Sequence, residues 1–153
     1  MADFDENRFA SKNQEYVTPN WLFEKIDNDF HFDRDVCATK ENSKCVLYWT
    51  VEDSCLDKTW SGVNWMNPPY KETKKFIKKA YEERHHAVTV CLVPARTNTK
   101  WFHDFCMKGE IYFICGRPKF NGCDHGLPQP LALVVFGRKS GVMKSFYLHG
   151  ANK

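Results

Sequence analysis

At 153 residues, with 42% apolar and 15% aromatic side chains, the chain suits one domain around one packed core. No apolar run approaches the ~20 residues of a membrane span, so a helical membrane protein is excluded. A net charge of +3 is mildly basic and permits a nucleic-acid partner without arguing for one. The start, Met1-Ala2-Asp3-Phe4-Asp5-Glu6, is acidic and polar and lacks the character of a signal peptide. The seven cysteines are odd in number, form no Cys-x-x-Cys and sit partly inside apolar runs. They read as reduced thiols of an intracellular protein. A zinc site would need Cys123 and His125 with distant partners, a spacing that matches no common finger, and no metal is expected.

Residues 1–13 are polar and aperiodic and are expected to form a flexible tail, which leaves 14–153 as the single domain. Tyr16-Val17-Thr18-Pro19 comes next. Thr18 suits a helix cap and Pro19 the first helical position, and Trp21, Leu22, Lys25 and Ile26 then fall near one face. Segment 30–38 reads as the first strand, ended by Asp35. Ligands of open α/β sheets bind outside the carboxyl ends of strands, which puts Asp35 at a candidate site. The interval before Val46 is too short for a long crossover helix, which must be missing or very short. Segment 46–51 reads as a second strand running into Glu52-Asp53.

The most informative stretch is Gly62-Val63-Asn64-Trp65-Met66-Asn67-Pro68-Pro69-Tyr70. Val63 and Trp65 favour a half-buried strand, and two prolines that donate no ladder hydrogen bond must end it. The prolines hold the carbonyls around Asn67 and Pro68 on a rigid turn. Asn67 adds a carboxamide acceptor and Tyr70 a flat aromatic face. A planar heterocycle with an exocyclic amine fits such a loop, although Pro-Pro by itself also simply ends strands.

A lysine-rich helix over 71–84 follows, with Phe76, Ile77, Ala80 and Tyr81 as its buried stripe. Its lysines read either as a solvated face or as a phosphate-tracking surface. The apolar run 87–94 predicts a central strand, followed by a polar turn at 95–100 that carries Arg96. A short helix is expected over 101–108, capped by Thr97 or Asn98. A strand over 110–115 leads into Gly116-Arg117-Pro118-Lys119-Phe120, and residues 121–130 read as a loop suited to substrate contact. Segment 131–136 predicts a buried strand, and 144–149 a final edge strand.

Asn67-Pro68-Pro69-Tyr70 resembles the catalytic motif of amino-methyltransferases that use S-adenosylmethionine. The tetrapeptide is shared with protein-glutamine methyltransferases. Together with Tyr16-Val17-Thr18-Pro19, Asp35-Val36-Cys37-Ala38 and Gly116-Arg117-Pro118-Lys119-Phe120, it resembles the small phage-type DNA N6-adenine methyltransferases, over roughly 14–138. The resemblance implies a compact, truncated Rossmann-like class I S-adenosylmethionine-dependent methyltransferase, α/β, with a mixed sheet and antiparallel C-terminal strands. It implies S-adenosylmethionine as cofactor, DNA with a target adenine as partner, no membrane, and a location in the cell or host cytoplasm, as monomer or weak dimer.

The resemblance also assigns roles. Asn67, Pro68, Pro69 and Tyr70 would be catalytic, with Tyr70 stacking on a base flipped out of the duplex. Tyr16, Thr18, Pro19, Asp35, Ala38, Asp53, Trp60 and Asn67 would border the cofactor. Within that set Asp35 would face the methionine ammonium, and Asp53, or alternatively Glu52 or Asp57, the adenine or ribose. Trp60 could cover the cofactor's adenine, but core is the favoured reading for it. Arg96, Arg117, Lys119 and Phe120 would meet DNA or wall the base pocket. The chain departs from the pattern after Asp35, where no Gly-x-Gly stands. Two other readings stay open: methylation of cytosine N4 or protein glutamine, and a non-catalytic nucleic-acid-binding module of the same shape.

Overall fold

The computed structural model describes residues 17–119 and 129–149. Seven strands form one mixed sheet: β1 Arg34–Asp35, β2 Leu47–Tyr48, β3 Gly62–Met66, β4 Ala87–Pro94, β5 Glu110–Cys115, β6 Leu131–Phe136 and β7 Val142–Tyr147. Their order is β2-β1-β3-β4-β6-β5-β7. The first four in space, β2, β1, β3 and β4, are mutually parallel, and β6 is inserted antiparallel between β4 and β5. This is an α/β architecture compatible with a Rossmann-like fold. No helix among the described residues is long and apolar enough to cross a membrane.

Helix α1, Asn20–Phe30, packs Leu22, Phe23 and Ile26 on one face of the sheet, against Trp65, Val90, Leu92, Leu133, Val135 and Phe146. Helices α2, Thr73–Glu82, and α3, Lys100–Asp104, cover the other face. There Phe76, Ile77, Ala80 and Phe102 meet Met66, Cys91, Val93, Val134 and Phe136. Successive side chains of β4 and β6 therefore feed two cores, which is why both strands read as unbroken apolar runs.

Several boundaries differ from the sequence-based expectations. The first strand is short because residue 30 still belongs to α1 and His31 takes a left-handed conformation (φ 58°), its N–H donating to Asp27 O. Asp27 Oδ1 then accepts from Phe32 N at 2.7 Å, so the chain turns before it can pair. Thr18 does not cap α1: Pro19 is the N-cap residue, without a side-chain cap bond. Trp21 points outward, 45% exposed, because Phe23 takes the buried place expected for it. The second strand stops before Thr50, where Thr50 and Asp53 close a capping box on a 3₁₀ turn. In α3 the cap position belongs to Thr99, whose hydroxyl turns back to Arg96 O. The expected absence of a long helix after the first strand holds, since only turns fill 39–46.

The C-terminal edge is also corrected. The antiparallel strand is the internal β6, whereas the edge strand β7 runs parallel to β5. The reason is the connection at 137–141, which passes over the start of β5 instead of folding back as a hairpin. Gly137 (φ 100°) lies so close to Ala87 O that a Cβ would clash. Arg138 forks onto Glu110, and Gly141 N donates to Gly109 O at 3.2 Å.

Candidate active site

The carboxyl ends of β1 and β3 meet at one edge of the sheet, with Asp35 registered beside Trp65. Each strand ends there for a local reason: β1 at a carboxylate that takes up backbone N–H groups, β3 at the two prolines. Between them opens a cavity of about 480 Å³. Thr18, Asp35, Ala38 and Asn67 all stand on its wall, although they come from three separate segments.

Asp35 is 3% exposed. Its Oδ1 accepts from Cys37 N at 3.2 Å and its Oδ2 from Lys44 N at 3.1 Å. Burial raises its pKa from 3.8 to about 6, against the opposing pull of those two N–H groups and the Lys44 charge. A buried carboxylate in this state gains from a cation brought into the cavity. Lys44 does not fill that role directly, because its ammonium donates to Asn20 Oδ1 at 2.7 Å.

Asn67 Nδ2 donates to the Thr18 hydroxyl at 2.9 Å. This bond joins the Thr-Pro segment to the Asn-Pro-Pro-Tyr loop and commits the nitrogen end of the amide. Pro69 shares the wall, whereas Pro68 is buried and does not line it. Tyr70 opens a 3₁₀ turn, Tyr70–Glu72, and packs half-buried against the α1-side core, outside the wall. The Thr73 hydroxyl donates to Tyr70 O at 2.9 Å and locks that turn to α2.

Other expected residues lie elsewhere. Pro19 is buried behind Thr18, off the wall, and its carbonyl accepts from Leu22 N and Phe23 N. Trp60 is fully buried in the α2-side core, with Nε1 donating to Cys55 O. Asp53 turns its carboxylate to Thr50 N at 2.8 Å, and its neighbours Val51, Ser54, Cys55 and Leu56 reach the cavity instead. Arg96, Arg117 and Lys119 are exposed beyond the carboxyl ends of β4 and β5, on the same edge but off the wall. Tyr16, Phe120, Cys123 and His125 lie outside the described residues.

Sequence reasoning missed Val17, Asn42, Lys44, Glu72 and Phe76, all on the wall. Asn42 and Lys44 sit in an irregular turn with no periodic signal. Glu72 carried one: it stands two residues after Tyr70, where the entering helix must face whatever the loop faces. The Cys37 and Cys55 thiols also line the cavity, and burial pushes both pKa values up, that of Cys55 to about 11. Both thiols stay neutral near pH 7, unsuited to nucleophilic attack.

A family model described as DNA N-6-adenine-methyltransferase (Dam) matches residues 6–130. A curated relative, the DNA N-6-adenine-methyltransferase of Escherichia phage T1, is 40% identical over 92 residues. That match covers 57% of this chain and 38% of the relative's length. The family model's match spans the Thr18, Asp35 and Asn67 segments, and the chain belongs to the DNA N-6-adenine-methyltransferase (Dam) family.

Proposed function

We propose that this protein transfers a methyl group from S-adenosylmethionine to the N6 amine of adenine in DNA. The observation that carries the reading is the Asn67–Thr18 bond at the rim of a cavity that also holds the buried Asp35. The donor set fits the cofactor. Its ammonium offsets the cost of ionising Asp35, and the apolar Val36, Leu56 and Phe76 suit a purine and the aliphatic carbons of the methionine chain. A volume of about 480 Å³ is of the size that small-molecule sites use. Ala38 takes the place of a glycine and is compatible with the cofactor, which has no pyrophosphate to demand close backbone approach. The sheet order, with one reversed strand inserted between β4 and β5, supports a class I methyltransferase fold.

S-adenosylmethionine supplies an electrophilic methyl group on a sulfonium. The amine of adenine is a weak nucleophile because its lone pair is delocalised into the ring. Asn67 Oδ1 and the Pro68 carbonyl accept its two hydrogens and stabilise the positive charge that grows on nitrogen during attack. Thr18 orients the amide for this by holding Nδ2. The C–N bond forms as the C–S bond breaks, and the surplus proton on N6 leaves to water. Tyr70 stacks on the adenine after it is turned out of the helix. Fixed geometry between methyl and amine contributes much of the remaining acceleration.

The test is transfer of labelled methyl groups to unmethylated DNA, followed by mass analysis of the nucleosides. N6-methyladenine is expected with the wild-type protein. Asn67→Ala is expected to lower turnover about 10²-fold or more, the usual cost of one fixed transition-state dipole. Label on cytosine alone would move the substrate, and wild-type turnover by Asn67→Ala would remove the loop from the chemistry.

A further inference from the structure

Trp21 is the most exposed tryptophan among the described residues, at 45%, on the first turn of α1. Its ring stacks against His149, with centroids 6.3 Å apart and planes 17° from parallel. Neither residue belongs to the cavity wall. Their place in the fold is nevertheless fixed to it. Trp21 stands three residues after Thr18, the partner of Asn67. On the other side, the Leu148 side chain packs against Gly116 so closely that a Cβ there would lie 2.9 Å from Leu148 Cδ1. The stacked pair therefore bridges the Thr18–Asn67 rim to the end of β5, where Arg117 and Lys119 are exposed.

An exposed indole backed by a second ring offers a flat stacking face, and the exposed Arg117 and Lys119 at the same edge of the sheet favour an anionic partner. Single-stranded nucleic acid meets both demands, because each base offers a π face and each phosphate a negative charge. We propose that Trp21, backed by His149, is a stacking platform for a DNA base next to the target nucleotide, with Arg117 and Lys119 contacting the flanking phosphates. The proposal rests on the adenine-methyltransferase reading and adds a second base-binding position outside the Asn-Pro-Pro-Tyr loop. Platform and loop share one edge of the sheet, so a base unstacked beside the flipped adenine is captured rather than left exposed.

The test uses the full chain and a fluorescein-labelled 12-nucleotide single strand of mixed sequence at fixed salt. Binding is read by anisotropy, by quenching of intrinsic tryptophan fluorescence, and by methyl transfer to the same strand. The wild type is expected to bind with tryptophan quenching. Trp21→Ala is expected to bind about 10- to 100-fold more weakly, the usual loss for one stacked base, with S-adenosylmethionine affinity unchanged. Trp21→Phe is expected to keep affinity within about threefold, because it retains a stacking face, and to lose most of the quenching. Wild-type DNA affinity and KM in Trp21→Ala, in a protein that methylates DNA, overturns the platform and leaves the methyltransferase reading standing. Absence of both DNA binding and methyl transfer in the wild type overturns the two together. Self-association suppressed by Trp21→Ala, with DNA affinity unchanged, assigns the patch to a second copy and overturns the proposal.

Discussion

Thr18 and Asn67 stand 49 residues apart in the chain, and the bond between them engages the nitrogen end of the Asn67 amide. Thr18→Val keeps the volume and removes the hydroxyl. Turnover is expected to fall about tenfold through lost orientation, while stability drops by only about 1 kcal/mol, the net worth of one hydrogen bond. Single-turnover rates and thermal melts measured side by side check this, and an unchanged rate would show that the bond does not position the amide. Asp35 makes a prediction of a different kind. Its folded pKa, about 6, lies above the ordinary 3.8, so the native state holds the proton more tightly than the unfolded chain. The resulting stabilisation is complete below 3.8 and is lost as pH rises through about 6. A cationic ligand requires the ionised form, so cofactor affinity is expected to fall about tenfold per pH unit below that point and to level off above it. Calorimetry across pH 4.5–8, on the order of what titration of Asp35 requires, reads this directly. In Asp35→Asn the affinity should be weak and flat, and a persisting slope would assign the titration to another group.

At the scale of elements, β3 and its proline loop form the one segment whose sequence alone specifies both its path and its end. The connection from β6 to β7 depends instead on partners. Glu110, 2% exposed, accepts from both ends of the Arg138 fork at 2.9 and 3.0 Å, from the Tyr112 hydroxyl and from Lys139 N. Burial opposes its charge, but these donors outweigh it and hold its pKa below 4.5. The stability so gained is present above the ordinary Glu pKa and is lost as pH falls through the lowered one. Arg138→Ala is expected to cost about 1–3 kcal/mol near neutral pH, less than a fully buried pair because the guanidinium is partly solvated. Urea midpoints should show this difference shrinking in acid. A pH-independent difference would mean that Arg138 acts by packing on Phe30, whose ring centroid lies 4.7 Å from the guanidinium carbon, and not through Glu110.

At the scale of the molecule, the carboxyl ends of β1, β3, β4, β5 and β7 share one edge, and Asp35 and Asn67 stand there on the cavity wall. The opposite edge carries the Glu110–Arg138 lock over the start of β5. The lysines of α2 divide along the same logic. Lys74, Lys75 and Lys78 are exposed, whereas Lys79 is drawn in to pair with Glu83 at 2.7 Å, beside the Trp60 ring. Helical spacing alone does not separate these two fates.

By itself, the sequence determined the α/β class, the two-faced burial of β4 and β6, the stop after β3 and the family, because each depends on short-range composition or on a rigid local motif. Asp35 was legible too, as the carboxylate that ends a strand. Only the tertiary structure decided that Thr18 holds Asn67 instead of capping α1, and that Asp53 turns away while Glu72 joins the cavity wall. It also decided that Trp21 is open and that β7 runs parallel to β5. Each of these is a choice between partners distant along the chain. Periodicity and propensity weigh a residue against its sequence neighbours, whereas hydrogen-bond competition and packing across the sheet weigh it against residues that only folding brings near.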